Sequence, residues 1–248
     1  MPYPPATVEN VLKSYDALES YLEERGAFLQ RIGVDGVSLG GYYWAPFPQI
    51  LSPEQYVDRT ARLIKRLKAV FKGKVSYDAH AGIASDPYLA GAIDYYEGGL
   101  WAWGVTEQEA ANLTVPMLKA KYRQRIDGLR HSPLSGKPII WNVYMPSRSD
   151  ALTTGYLEET FCTAGYDLGV TYATSCIQAG KATDFGLQAI AHEAALEAIF
   201  EQDSGNIAGV SIQCWMDDNL LPSFTFPNVA TSIRGKPAEA IVYQWFKR

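Results

Sequence analysis

The chain has 248 residues, of which 47% are hydrophobic and 20% charged, a composition that can bury one large core and predicts a single domain over residues 1–248. A formal net charge of -5, without any long run of Lys or Arg, excludes the basic surface that nucleic acids and anionic membranes require. No apolar stretch reaches the roughly 20 residues of a membrane helix, and the start of the chain lacks signal-peptide features, so we expect a soluble chain.

Five short apolar runs break into aromatic, acidic or amide residues, and most of them are separated by helical pattern. The runs cover residues 33–43, 74–80, 92–103, 137–145 and 207–217. Alternating strands and helices indicate a parallel sheet, and polar residues at strand ends are typical of a β/α barrel. A closed barrel of this type needs eight strands. The five runs therefore predict an α/β, TIM-type barrel that is incomplete, with its early strands absent or supplied by another chain.

Helix signals lie between these runs. Thr7 is a candidate N-cap for an apolar stripe that starts at Val8, and Ser52 with Pro53 starts a helix that reaches about Phe71. Only one helical turn fits between the second and third runs. Further helices are predicted at 106–129, at 184–199 with Asp184 as cap, and at 237–246. Residues 147–182 are predicted to form a long loop over the barrel mouth.

The last part of the chain carries a family resemblance. Residues 209–215 read Gly-Val-Ser-Ile-Gln-Cys-Trp, and residues 232–239 read Ser-Ile-Arg-Gly-Lys-Pro-Ala-Glu. Both segments resemble the end of clan A glycoside hydrolase barrels, nearest in pattern to the β-mannanases of family 113. The resemblance implies that Trp215 floors a sugar subsite, and that the five runs correspond to barrel strands four to eight.

The catalytic positions depart from the family that the chain resembles. Such enzymes place an acid/base Glu after the fourth strand and a nucleophile Glu at the end of the seventh. Here the corresponding residues are Gly40-Gly41-Tyr42 and Trp141-Asn142-Val143, which include no carboxylate. The resemblance therefore supports the fold and a carbohydrate-facing mouth, but it provides no catalytic pair.

Other carboxylates at or near strand ends could provide the chemistry. Hydrolysis of a glycosidic bond needs one carboxylic acid and a second carboxylate that attacks or activates water. Asp78 and Glu97 lie at or near the ends of neighbouring strands, which are about 4.8 Å apart, so their side chains could reach the roughly 5 to 9 Å separation that this chemistry requires. They are the predicted catalytic pair. The alternative is structural, because strand-end acids often bond loop amides.

Aromatic and polar residues after the strands predict a sugar-binding cleft, since aromatic rings stack on sugars. The predicted substrate-binding residues are Tyr42, Trp44, His80, Trp101, Asn142, Tyr144, Trp215 and Asp217. Alternation along a strand favours a packing role between sheet and helices for Trp141. Ser147 has no evident base and no nucleophile-elbow sequence, which disfavours a serine hydrolase.

Neither the cysteines nor the histidines predict a metal site. Cys162, Cys176 and Cys214 are widely spaced, and the three His residues fall on different elements. We therefore expect no metal and no cofactor. The sequence leaves the cellular location open, including an extracellular one for a full-length form.

Three functional hypotheses follow. The first is a glycosidase that acts on a polysaccharide or oligosaccharide through Asp78 and Glu97. The second is a non-catalytic carbohydrate-binding barrel, because the family's glutamates are missing. The third is a fragment of a larger enzyme, in which a homodimer or an N-terminal partner segment completes the barrel. The third hypothesis predicts exposed apolar sheet edges.

Overall fold

The computed structural model describes seven helices and five strands within its described residues, and helices separate successive strands. Its described residues are 7–39, 50–78, 87–100, 105–143, 145, 147–153, 182–201, 206–212 and 232–247, with the backbone alone at 78, 87, 88 and 130. The helices are α1 (Val8–Arg31), α2 (Pro53–Val70), α3 (Pro87–Ala92), α4 (Glu107–Ala110), α5 (Val115–Arg130), α6 (Phe185–Phe200) and α7 (Pro237–Phe246). The strands are β1 (Gly36–Leu39), β2 (Lys74–Asp78), β3 (Tyr95–Leu100), β4 (Ile139–Val143) and β5 (Ile207–Ile212).

The five strands form one parallel sheet whose spatial order is the order along the chain, β1 to β5. In β1 and β2, Gly36 pairs with Lys74 and Leu39 with Tyr77, and in β2 and β3, Ser76 pairs with Tyr95. Sequential parallel strands with intervening helices are the winding of a β/α barrel. The prediction of an incomplete α/β barrel is therefore confirmed.

The chain divides into two compact units. The first contains Met1–Gly98 and Gly128–Ile140, and the second contains Gly99–Asp127 and Trp141–Arg248. The core of the first unit lies between α1 and α2, and its buried cluster consists of Val11, Tyr15, Leu51, Tyr56 and Leu63. The single-domain expectation stays a prediction.

A buried carboxylate fastens α1 to α2. Glu19 is 1% exposed, and its carboxylate lies 3.0 Å from Arg62 Nη2 and 3.2 Å from Arg66 Nε, with Arg59 at 3.7 Å. A carboxylate this far from water is costly unless cations and hydrogen bonds compensate for the lost hydration. Three arginines from successive turns of α2 supply that compensation, so Glu19 fixes the orientation of the two helices.

The face of β2 that contacts α2 is set by a tyrosine pair. The hydroxyl groups of Tyr77 and Tyr56 lie 2.6 Å apart, and Val75 and Tyr77 are both buried. Burial raises the pKa of Tyr56, so its hydroxyl stays protonated. Successive side chains of a strand point to opposite faces. Ser76 therefore points away from α2, toward the face that forms the interior of a barrel.

The second unit is organised around α6, which is apolar on nearly all sides. Its buried residues include Ala194, Ala195 and Ile199, as expected of a helix covered by neighbours. The Phe200 ring stacks on Trp245 of α7 at 5.5 Å, and the Trp245 indole donates to Glu193. On another side, Lys119 of α5 bonds Glu197 at 2.7 Å and pairs with Glu201.

Several predicted helix ends are confirmed by the geometry of their caps. Ser52 and Gln55 form a reciprocal capping box at the start of α2, and Thr7 and Asp184 accept from backbone N–H groups at α1 and α6. Among its described residues, the connection between β2 and β3 contains one helix, the short α3. The unusually brief crossover inferred from the sequence is therefore present.

One predicted helix is wrong. Residues 106–129 do not form a continuous helix, because Thr106 and Glu109 close a capping box around the four-residue α4 and the chain then turns. A new helix, α5, starts at Val115, with Pro116 in its first turn. Pro lacks an N–H and is tolerated in the first turn of a helix, but not in its interior.

Burial differs between the middle and the ends of the strand order. Val75, Tyr77, Leu100 and Trp141 in β2 to β4 are at most 3% exposed. In contrast, β1 is exposed at Gly36 and Ser38, and β5 has no buried residue. Parallel strands are normally covered on both faces, so the terminal strands depart from the usual burial.

None of the helices in the described ranges is long and apolar enough to cross a membrane.

We predict that Glu19→Gln lowers the free energy of unfolding by about 2 to 3 kcal/mol, because it leaves three arginines facing a buried neutral amide. Urea unfolding followed by circular dichroism measures this change. Glu23→Gln is the matched control, since Glu23 is 47% exposed and, among the described residues, pairs with Arg66 alone, at 3.4 Å. The control should change stability by less than about 0.5 kcal/mol. Equal effects would contradict the role assigned to Glu19.

Candidate functional site

Most of the predicted site residues fall outside the described part of the chain. Tyr42, Trp44, His80, Trp101, Tyr144, Trp215 and Asp217 are in this group, and for Asp78 only the backbone is described. Glu97 and Asn142 have described side chains. The assigned roles of all these residues remain predictions.

Asp78 and Glu97 are partners in the register of β2 and β3. Neighbouring parallel strands lie about 4.8 Å apart, so the two acidic residues are adjacent across the sheet. Glu97 is the third residue of β3, and the strand continues to Leu100. Gly98 and Gly99 keep extended backbone and are buried, so they prolong the strand.

Glu97 is half-buried, and its carboxylate accepts a hydrogen bond from the Ser76 hydroxyl. Ser76 points away from α2, which places the Glu97 carboxylate on the same, inward face of the sheet. The Ser76 hydroxyl also lies 3.5 Å from Val37 O, the longer of its two contacts. A hydroxyl has one hydrogen to donate, and the closer carboxylate is its acceptor.

Asp94 fixes the register that brings the two acids together. Its Oδ2 accepts from Val75 N–H at 3.0 Å and lies 2.9 Å from Lys68 Nζ, while its own N–H donates to Val75 O at 2.8 Å. Burial opposes ionisation, but the Val75 N–H and the Lys68 ammonium hold the pKa of Asp94 below its usual range. Asp94 therefore holds both backbone polar groups of Val75, near the start of β2.

In the second unit, β4 alternates between buried and half-buried residues. Trp141 and Val143 are at most 2% exposed, and Asn142 between them is half-buried. The full burial of Trp141 agrees with the packing role expected for it. Its indole N–H has no hydrogen-bond partner among the described residues. Alternation places Asn142 on the face opposite Trp141.

A buried polar network follows β4 within the second unit. Gln188 Nε2 donates to Met145 O at 2.8 Å and reaches Ser232 O at 3.5 Å. His192 Nδ1 donates to Gln188 O at 2.8 Å. Gln188, His192 and Ser232 are fully buried. Buried amides and imidazoles persist where such bonds compensate for lost hydration, so the network fixes the loop after β4 against α6.

Ser147 has a basic neighbour that was not expected. Lys236 Nζ donates to Ser147 Oγ at 2.9 Å and lies over the Phe185 ring at 5.9 Å. Burial lowers the pKa of Lys236 to about 8, so at neutral pH the amine is mainly protonated and acts as a donor. The expectation of no nearby base is wrong. Ser147 is nevertheless fully buried, which leaves a substrate no approach to its hydroxyl.

The same unit contains a histidine that is neutral at physiological pH. Burial lowers the pKa of His192 to about 4, against the opposing bond to Gln188 O, and the nearby Lys236 charge adds to the lowering. Its Nε2 has no hydrogen-bond partner among the described residues. Within the same described ranges, no group of three or more His, Cys, Asp or Glu residues could hold a metal ion.

Sequence reasoning missed Ser76, Asp94, Gln188 and Lys236 as residues that organise these sites. Each acts on a residue far away in sequence, such as Lys236 on Ser147, 89 positions earlier. Their residue types are ordinary at strand starts, helix interiors and helix caps. No local pattern distinguishes them, because the contacts exist only after the strands have been placed in order.

Comparison with solved structures identifies the fold. The chain is 14% identical to a GH113 β-1,4-mannanase, with a TM-score of 0.62, over 100% of this chain and 66% of that one. It is also 14% identical to the GH113 β-mannanase AaManA from Alicyclobacillus acidocaldarius, with a TM-score of 0.61, over 99% of this chain and 65% of that one. The chain thus spans slightly less than two thirds of their lengths, and it shares the GH113-like clan A fold. No family model matches the sequence, and no curated protein matches it significantly.

We predict that stability falls as the pH is lowered from about 6.5 to about 4, by about 3 kcal/mol from His192 alone. Above pH 6.5 the imidazole is neutral in both states. Below pH 6.5, His192 is protonated in the unfolded chain, whereas in the folded chain it stays neutral until the pH falls to about 4. Urea unfolding at several pH values measures the effect.

His192→Gln should flatten this part of the stability profile, whereas His131→Gln, in an exposed turn, should leave it unchanged. An unchanged slope in His192→Gln would contradict the assignment.

Proposed function

We propose that this chain is a carbohydrate-active barrel that hydrolyses glycosidic bonds, with Asp78 and Glu97 as its carboxylate pair. The observation that carries the proposal is the register of β2 and β3, which makes the two acidic residues neighbours across the sheet. Retaining or inverting hydrolysis requires two carboxyl groups that lie roughly 5 to 9 Å apart. Adjacent strands are compatible with that range.

The hydrogen bond to Ser76 favours different roles for the two acids. The Glu97 carboxylate accepts a hydrogen bond from the Ser76 hydroxyl, and this bond fixes the orientation of the carboxylate. This arrangement suits the group that attacks the sugar or activates water. Asp78 is then the residue that protonates the leaving oxygen. Ser76 serves as a positioning residue for Glu97.

The substrate class follows from the fold and from the residues after the strands. The structural neighbours are β-1,4-mannanases, and this chain has tryptophans at positions 44, 101 and 215. Aromatic rings at the mouth of a barrel stack on sugar faces. A β-linked polysaccharide or oligosaccharide is the proposed substrate, with Asn142 and Tyr144 as hydroxyl contacts and Trp215 as subsite floor.

A second candidate function is carbohydrate binding without hydrolysis. It is favoured by one observation, that Asn142 and the buried Trp141 occupy the end of the strand where the resembled family has its nucleophile. Asn has no carboxylate to attack an anomeric carbon or activate water. In that case Asp78 and Glu97 contact sugar hydroxyls only.

We predict that Asp78→Asn and Glu97→Gln each lower turnover of a β-linked polysaccharide at least about 100-fold while sugar affinity changes little, because each removes an acid or base from the reaction. Reducing-sugar release measures turnover, and isothermal titration calorimetry measures binding. Glu107→Gln is the control, since Glu107 is exposed in the first turn of α4.

The possible results separate the two functions. Turnover that survives both substitutions would rule out the pair. Sugar binding by the parent, without release of reducing ends from any β- or α-linked substrate, would favour the non-catalytic function.

Ser76→Ala should lower kcat by about 10-fold with little change in KM, because it removes the hydroxyl that orients Glu97 without touching the sugar. Steady-state kinetics separate the two constants. Ser38→Ala is the matched control, since Ser38 is an exposed serine of the neighbouring strand. Loss confined to KM would contradict the positioning role of Ser76.

A further inference from the structure

One sequence feature outside the proposed site is a glycosylation acceptor pattern. Residues 112–114 read Asn-Leu-Thr, and Asn112 is the only asparagine in the sequence that Ser or Thr follows two positions later. Attachment of an N-linked oligosaccharide requires the pattern Asn-x-Ser/Thr, in which x is any residue except Pro. Leu113 satisfies that condition. Because such triplets also arise by chance, the structure around Asn112 decides whether the pattern is accessible.

Asn112 lies in the short turn that joins α4 to α5, and its side chain is exposed. Its N–H donates to Glu109 O at 3.2 Å, and the Leu113 N–H donates to Ala110 O at 3.4 Å. These backbone bonds close the end of α4 and hold the turn. Among the described residues, the Asn112 side-chain amide has no hydrogen-bond partner, so it is accessible from solvent.

Thr114 provides the hydroxyl of the pattern. It is exposed and immediately precedes α5, and its carbonyl accepts from the Leu118 N–H at 3.2 Å. A Thr hydroxyl at this position can accept a hydrogen bond from the first turn of a helix. Pro116 has no N–H to donate, and within the described ranges the Thr114 hydroxyl accepts no bond from α5. The hydroxyl is therefore open to solvent, as is the Asn112 amide.

The local fold gives no other reason for these two side chains. Asn is common in turns because its side chain bonds nearby backbone groups, and Thr is common before helices because it caps them. Neither contact is present for Asn112 or Thr114 in the part of the chain that the structure describes. The exposed turn also tolerates a large substituent, because an oligosaccharide on Asn112 extends into water and displaces no packed side chain.

We propose that Asn112 is a site of N-linked glycosylation, which is modified when this chain passes through a eukaryotic secretory pathway. The co-reactant is an oligosaccharide carried on a polyprenyl diphosphate, and a membrane-bound transferase recognises the Thr114 hydroxyl. The Asn112 Nδ2 attacks the anomeric carbon of the first sugar and loses one proton to solvent. A C–N bond forms, the C–O bond to the diphosphate breaks, and the polyprenyl diphosphate leaves.

This modification is independent of the proposed hydrolysis. The turn contains neither Asp78 nor Glu97, and its exposure follows from α4 and α5 alone. A failure of the carboxylate pair would therefore leave the glycosylation site unaffected, and the converse also holds.

Secretion of the whole chain tests the proposal. A cleavable signal peptide directs residues 1–248 into the medium of cultured insect cells, and chain recovered there has passed the transferase. We expect a secreted protein of raised mass, which peptide-N-glycosidase lowers. That enzyme converts the modified Asn112 to Asp, so mass spectrometry of the peptide identifies the residue. Cell-free translation with microsomes provides the same readout for protease-protected chains, so the result does not depend on the yield of secretion.

Four substitutions make the test specific. Asn112→Gln and Thr114→Ala should each abolish the modification, because the first moves the acceptor amide and the second removes the recognised hydroxyl. Thr114→Ser keeps a hydroxyl at the same position and should retain the modification. Asn10→Gln is the matched control, since Asn10 is an asparagine of α1 that Leu follows two positions later. Circular dichroism confirms that each variant is folded.

Three results would overturn the proposal. One is that the parent chain, once secreted or protected in microsomes, carries no oligosaccharide. Another is that Asn112→Gln remains modified, which would place the oligosaccharide on another residue. The third is that Thr114→Ala remains modified, since its hydroxyl would then have no part in recognition.

Discussion

The arrangement of the first unit depends on the two hydrogen bonds between Asp94 and the backbone of Val75. The Asp94 N–H donates to Val75 O, and the Asp94 carboxylate accepts from Val75 N–H, so one residue of β2 is held at both its backbone polar groups. Lys68 of α2 neutralises the carboxylate from the helix layer. A slip of one residue would turn every side chain of β3 to the opposite face. Asp94 thereby determines that Glu97, and not Tyr96, shares a face with Ser76.

The second constraint is that parallel strands need cover on both faces. On the helix side of the first unit, the Tyr56–Tyr77 pair joins α2 to β2, and the Glu19 cluster joins α1 to α2, so polar groups that are matched to one another hold these elements together. The second unit uses alanine-rich α6 for the same purpose, since small side chains allow a helix to approach its neighbours closely. Among the described strands, the terminal strands β1 and β5 lack comparable burial.

Much of the fold could be predicted because its signals are local. Ser52 with Pro53, Asp184, and Pro237 mark helix starts through groups that act within one turn, and the structure has helices starting at all three. The apolar periodicity of residues 106–129 predicted one continuous helix, but the structure has two. The capping box at Thr106 and Glu109 closes the first helix within one turn, and Pro116 lies in the first turn of the second. Glu97 was predicted to lie at or near a strand end, and β3 continues past it through Gly98 and Gly99 to Leu100, because glycine can continue a strand when neighbours supply the hydrogen bonds.

The candidate site was less predictable because its geometry arises between strands. Sequence placed Asp78 and Glu97 on neighbouring strands, and the register made them partners, but nothing local indicated that a serine two positions before Asp78 would engage Glu97. That bond distinguishes the site from a simple pair of strand-end acids. An acid whose only task is to cap a loop has no need of a donor from the adjacent strand. A carboxylate held half-buried on the inward face of the sheet by a hydroxyl is oriented before any sugar arrives, and such preorganisation is what a nucleophile or base of a glycosidase requires.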